Sequence, residues 1–175
     1  MKLIADKLDT AASVSFMDLS VEAEAFGSKI VVSDEEVPTV VGSIVDEDSD
    51  PDDLVVPEVG AGRTGLYIEA IREVSKLIDD RPVLAGAIGP FSLAGRLMDE
   101  PLAGLLSPDL LAEFSTPYVR RIVEAHQDDE FSIVYHNCGS SVVDAAEAVA
   151  ATGAAAFHFG NAINMADIVP LMPED

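Results

Sequence analysis

The stretch SIVYHNCGSS, residues 132–141, joins an apolar run to a glycine turn and carries His136 two positions before Cys138, the only cysteine in the chain. Short continuous apolar runs of this kind suit parallel strands covered on both faces. Three more follow the same pattern: VSFMD (14–18), PVLAGAIG (82–89) and AAAFHFG (154–160). Residues of helical pattern follow each of the four, so the order is β/α and the fold class is α/β with about four parallel core strands. Leu66, Ala70, Val74 and Leu77 are spaced as one stripe of a helix over Thr64 to Ile78, and Val142, Ala146, Val149 and Ala150 as a stripe of another. Ser107-Pro108 and Thr116-Pro117 each offer a capping hydroxyl followed by proline in the first helical turn, which predicts a break near Ser115.

Outside the parallel core, KIVVSD (29–34) and TVVGSIV (39–45) read as a small added β-ribbon. DEDSDPDD (46–53) is a run of carboxylates that cannot order itself by burial, so it reads as a solvated loop. As a calcium loop it lacks the EF-hand glycine and terminal glutamate at the required offsets.

The length of 175 residues and 49 % hydrophobic content allow one domain with a core. With 32 Asp+Glu against 10 Lys+Arg the formal charge is −22, which repels a nucleic-acid backbone and excludes nucleic acid as a partner. One cysteine cannot form an internal disulfide, no leader pattern opens the chain, and no apolar run approaches the roughly 20 residues of a membrane helix. The expectation is a cytoplasmic protein that does not enter a membrane.

The candidate chemistry gathers at the predicted strand ends, where α/β folds place working side chains. A thiolate and an imidazole are good zinc ligands, and residues i and i+2 of a strand share a side, so His136 and Cys138 could grip one ion. The plain alternative is a buried small thiol beside a hydrogen-bonded histidine. His158 reads as a core histidine in an apolar strand, with a supporting role at most. Asn161, after Gly160, is either a ligand contact or a turn residue. Asp18 ends a strand before Glu22 and Glu24; a carboxylate there faces the mouth of the fold, or else Asp18 or Ser20 caps a short helix whose positive end the glutamates favour. Gly89 allows close backbone approach and Pro90 opens the next helix, so GPFSLAGR (89–96) is a candidate pocket lining. Glu100 is either a pocket carboxylate or an exposed loop charge.

MDLSVEAEAFG, GPFSLAGRLM, EPLAGLLSP, YHNCG and TGAAAFHFGNAINMADI together resemble the uroporphyrinogen decarboxylase superfamily, in particular its corrinoid-dependent methyltransferase branch. The resemblance covers most of the chain and implies a TIM barrel with its site at the carboxyl ends of the strands; at this length that is a partial, TIM-barrel-like (β/α) fold. It implies zinc held by His136 and Cys138, catalytic carboxylates at Glu22 and Glu100, and a substrate bordered by Gly89, Pro90, Phe91 and Asn161. The implied reaction moves a methyl group from a methylcorrinoid on a partner protein to a small thiol such as coenzyme M.

Relatives would carry sequence before Met1, a helix and strand where Asp99 here runs into Glu100, and, after Asp175, further β/α units with a cysteine that resembles the third zinc ligand. A partial barrel exposes strand edges, so a homo-oligomer is expected. Two other readings remain: decarboxylation of a tetrapyrrole-like substrate, with Arg63 and Arg96 as residual anchors or else as surface ion-pair partners, and a non-catalytic binding or assembly module.

Overall fold

A computed structural model describes residues 1–98 and 107–173, and these fall into two compact units. The first comprises Met1–Ile88 and the chain from Leu93 onward as far as it is described; the second comprises Gly89–Ser92 and the chain from Ser107 on.

In the first unit a short helix α1 (Lys2–Ala5) precedes strand β1 (Ser13–Val14) and helix α2 (Val21–Ala25). Strands β2 (Lys29–Val31) and β3 (Thr39–Val41) form the antiparallel ribbon that the sequence predicts, with Ile30 opposite Val40. The acidic stretch after it holds only a 3-10 turn, Pro51–Asp53, and is largely exposed, in keeping with a solvated loop. Helix α3 (Thr64–Leu77) leads into strand β4 (Val83–Leu84), which pairs parallel to β1 with Ser13 opposite Val83.

The buried face of α3 differs from the expected stripe. Val74 is buried, but Leu66, Ala70 and Leu77 are exposed, while Ile71, Val74 and Ile78 pack with Ala5, Met1 and Val83. Two apolar stripes compete on this helix, and the one that meets α1 and β4 is the one that is covered among the described residues. A side chain as fully enclosed as Val74 or Ile78 contributes about 1.5–3 kcal/mol. Helix α4 (Pro90–Leu97) begins at the expected proline, and its Leu93 and Leu97 join Ala23, Val40 and Phe26 in a second cluster.

The second unit begins with helix α5 (Pro108–Phe114), whose N-cap Ser107 hydroxyl accepts from the Leu110 N–H as the Ser-Pro signal predicts. Helix α6 (Thr116–His126) starts after the expected break, but Thr116 is its first residue rather than its cap. The Thr116 hydroxyl instead donates to the Ala148 carbonyl at 2.9 Å and ties α6 to the segment that forms helix α7 (Ala146–Ala150). Strands β5 (Val134–Asn137) and β6 (Ala156–Phe159) pair parallel, and helix α8 (Met165–Ile168) closes the described chain before a last 3-10 turn.

One face of the β5/β6 pair is covered: Tyr135, Phe157 and Ile133 pack against Val119, Val123 and Ala154. Gln127 fixes the strand starts, its amide oxygen accepting from Ile133 N–H (3.2 Å) and Ala155 N–H (2.9 Å) while its nitrogen donates to the Gly153 carbonyl (3.1 Å). All four predicted core strands therefore exist, as two parallel pairs, and the added ribbon stands apart from them. No closed barrel forms among the described residues, and no described helix is long and apolar enough to cross a membrane.

Candidate functional site

Tyr135, Asn137, Phe157 and Phe159 are half-buried, whereas Val134, His136, Ala156 and His158 are exposed. This alternation is the period of two in a strand covered on one face only. The register sets His136 directly opposite His158 on the open face. Their rings lie 4.8 Å apart between centroids, tilted by 30°. His136 Nδ1 is 3.1 Å from the His158 carbonyl oxygen and 2.9 Å from His158 Nδ1.

The carbonyl can only accept, so one tautomer satisfies both contacts: His136 carries its proton on Nδ1 and shares it between the carbonyl and the bare Nδ1 of His158. His136 Nε2 then presents a free lone pair. His158 is thus not the core histidine that the sequence suggests. The flanking Phe157 and Phe159 take the covered face and leave it on the open one, and the alternation Phe-His-Phe is the signal in the sequence for that placement.

Cys138 follows β5 and is exposed, as a residue two positions beyond the open His136 should be. Asn137 ends the strand: its side-chain oxygen accepts from the Gly139 N–H at 2.8 Å and starts the turn. Gly160 follows β6 on the neighbouring strand, its N–H donating to the Asn137 carbonyl at 3.1 Å. A Cβ at Gly160 would lie 3.0 Å from Cys138 Cα and 3.1 Å from its carbonyl oxygen, so only glycine lets the two strand ends come this close. Asn161, next in the chain, is exposed beside this junction. The second unit therefore brings His136, His158, Cys138 and the Gly160-Asn161 turn to the carboxyl ends of two adjacent parallel strands.

Zinc is the metal that the family resemblance implies, and the donor set can be tested against it. An exposed thiol and an imidazole with a free Nε2 are the sulfur and nitrogen donors zinc takes, and they fit as two positions of its shell. Among the described residues no group of three or more His, Cys, Asp or Glu side chains is drawn together closely enough to hold an ion.

Glu22 belongs to the first unit, in the first turn of α2, where its Oε1 accepts from the Ile88 N–H at 3.1 Å. It borders an apolar hollow of about 240 Å³ lined by Phe26, Pro57, Val59, Ile68 and Leu93 among others. Asp18 does not cap the first turn of α2; its Oδ1 accepts from the N–H (2.9 Å) and hydroxyl (2.5 Å) of Ser20. Its other oxygen binds Arg63, whose guanidinium also reaches Glu24 (2.5 Å) and the Ser20 hydroxyl (2.8 Å). Burial alone would raise the pKa of Asp18, but hydrogen bonds from Ser20 and Arg63 outweigh it and hold the carboxyl below its ordinary value. Burial likewise opposes the charge on Arg63, and the two carboxylates overcome it and raise its pKa. Arg63 is accordingly an ion-pair partner, neutralised by its own chain, and Glu24 is one of its two anchors.

Pro90 opens α4 and Phe91 is half-buried, while among the described residues no atom beyond its chain neighbours lies within 4 Å of a Cβ placed on Gly89, so no close backbone contact requires the glycine there. Arg96, in the last turn of α4, is exposed. Glu100 lies outside the described residues.

The solved structure of a methyltransferase from Methanosarcina mazei superposes with a TM-score of 0.67 at 20 % identity, covering 84 % of this chain and 58 % of that one. The arrangement of strands and helices is therefore that of a partial TIM-barrel-like fold. Two methylcobamide:CoM methyltransferases, both named MtbA, from Methanosarcina acetivorans and Methanosarcina mazei, are 31 % and 30 % identical over 122 residues. Each match covers 63 % of this chain and 36 % of the relative, so the chain spans little more than a third of the length of these relatives. The uroporphyrinogen decarboxylase (URO-D) family profile matches residues 3–101 and 97–172, two segments that overlap at 97–101, around Asp99 and Glu100. With nearly the whole chain matched, the protein belongs to the uroporphyrinogen decarboxylase (URO-D) family.

Proposed function

We propose that this chain carries the zinc-binding part of a corrinoid-dependent methyltransferase, in which a methyl group passes from a methylcorrinoid on a partner protein to a thiol such as coenzyme M. The supporting observation is the exposure of His136, on the face of β5 that α6 leaves open, and of Cys138 just beyond the carboxyl end of that strand. The names of the two MtbA relatives, methylcobamide:CoM methyltransferases, agree with it.

When bound, zinc supplies the Lewis acidity that keeps an acceptor thiol deprotonated near neutral pH. The chain's own residues do the rest. His136 offers Nε2 because its Nδ1 is held by the neighbouring strand. Cys138 offers its sulfur, and Gly160 keeps the adjoining strand end close behind it. The family resemblance makes Asn161, Gly89, Pro90 and Phe91 substrate contacts in this reading, and Glu22 and Glu100 its catalytic carboxylates. The alternative of tetrapyrrole decarboxylation is disfavoured by Arg63, whose charge is already spent on Asp18 and Glu24.

The test is metal content. The full chain, purified and dialysed against zinc, should retain about one ion, and Cys138→Ser should lose it. A wild-type chain that retains none, or a Cys138→Ser variant that retains as much, would end the methyltransferase reading and leave a binding module of the same fold.

A further inference from the structure

We infer that His158 is a positioning residue for His136: it fixes the ring orientation and the tautomer that make Nε2 of His136 available as a ligand. This rests on the reading of His136 as a metal ligand, but the contact that carries it is present without metal. Metal-binding histidines usually donate their second ring N–H to a carbonyl or carboxylate, which orients the ring and raises the basicity of the ligating nitrogen. His136 does so twice over, to the His158 carbonyl at 3.1 Å and to His158 Nδ1 at 2.9 Å.

Both acceptors belong to one residue, set opposite His136 by the parallel register and kept on the open face by the alternation with Phe157 and Phe159. The carbonyl alone would permit the ring of His136 to swing about χ1, since the residue is exposed and no packing fixes it. The second ring, 4.8 Å away, narrows that freedom, and its Nδ1 offers a further acceptor to the Nδ1 proton that the carbonyl requires. With His158 Nδ1 accepting, the His158 proton is on Nε2, so the pair is arranged for one shared proton and one free lone pair on His136.

The experiment uses the full chain, its His158→Phe, His158→Gln and Cys138→Ser variants, and zinc alone as the probe. Long-range proton–nitrogen NMR of the imidazoles in metal-free protein should show His136 with its proton on Nδ1. In His158→Phe the ring should redistribute between tautomers, and zinc affinity, read by competition with a chromophoric chelator, should fall about tenfold or more. Gln at 158 offers a side-chain oxygen in a similar place and should recover much of both signals, which a merely structural role would not predict.

Unchanged tautomer and unchanged affinity in His158→Phe overturn the inference. Imidazole NMR of the zinc-loaded protein that shows metal on a ring nitrogen of His158 also overturns it, by making His158 a ligand in its own right. If instead Cys138→Ser binds zinc as tightly as the wild type, the methyltransferase reading fails while the tautomer measurement still decides the role of His158.

Discussion

Removing the Arg63 guanidinium should destabilise the protein at neutral pH and do so progressively less in acid. Arg63 makes hydrogen bonds to Asp18, Glu24 and Ser20, and the Asp18 side chain is only 8 % exposed. Deleting one partner of a buried ion pair costs about 3–5 kcal/mol, because the other charge stays buried and unpaired. That range is discounted here, since Arg63 and Glu24 keep 24 % and 31 % of their side chains in water and Glu24 can rehydrate. About 2–3 kcal/mol is expected for Arg63→Met at pH 7, or a fall of roughly 5–10 °C in Tm for a chain of this size.

The pH dependence has a definite sign. In the wild type the pKa of Asp18 is lowered on folding, so its contribution is complete above the unfolded value near ~3.9 and is lost as pH falls through the lower folded value. In Arg63→Met the burial of Asp18 is opposed only by Ser20, its carboxyl protonates at higher pH, and the neutral acid tolerates the site. The two proteins should therefore converge as pH drops below about 4. Urea unfolding followed by far-ultraviolet circular dichroism at pH 7, 5 and 3.5 checks this. A variant within about 0.5 kcal/mol of the wild type at pH 7, or a difference that widens in acid, would show that the guanidinium does not compensate Asp18 in the way described.

Gly160→Ala should cost about 1–3 kcal/mol of stability, because its Cβ would sit 3.0 Å from Cys138 Cα and the strand ends must part; unfolding midpoints equal to the wild type would contradict the close approach. Zinc affinity should fall in the same variant as Cys138 is displaced, measured by chelator competition. Self-association is expected from the apolar side chains left in water, among them Val14 (63 % exposed) and Phe16 (73 %) in the first unit and Val134 (41 %) in the second. Sedimentation at increasing concentration should show a shift toward a dimer or larger species, and a monomer at all concentrations would refute it.

The parallel strands were legible as apolar runs bounded by glycine and proline, and the β-ribbon as paired β-branched stretches, because these patterns depend on neighbours only two residues away. Helix starts at Ser107 and Pro90 were legible for the same local reason. The covered face of α3 was not. Leu66, Ala70 and Leu77 have the spacing of a core stripe, yet Ile71 and Ile78 have it too, and which one is buried depends on α1 and β4, far along the chain.

At the site the residue types of His136 and Cys138 stood out by their spacing, and both are exposed at or just beyond the end of β5. Sequence could not supply His158 as the partner of His136, because their meeting depends on the register of two strands separated by a helix and two turns. Nor could it supply the pairing of Arg63 with Asp18, 45 residues away, which turned a candidate substrate anchor into a closed internal ion pair. Local chemistry, turn signals and the period of the backbone are written in order along the chain and can be read there. Register, the choice between competing faces and the partner of each charge arise only when distant segments meet, since burial and hydrogen bonding are decided by whatever lies across the gap.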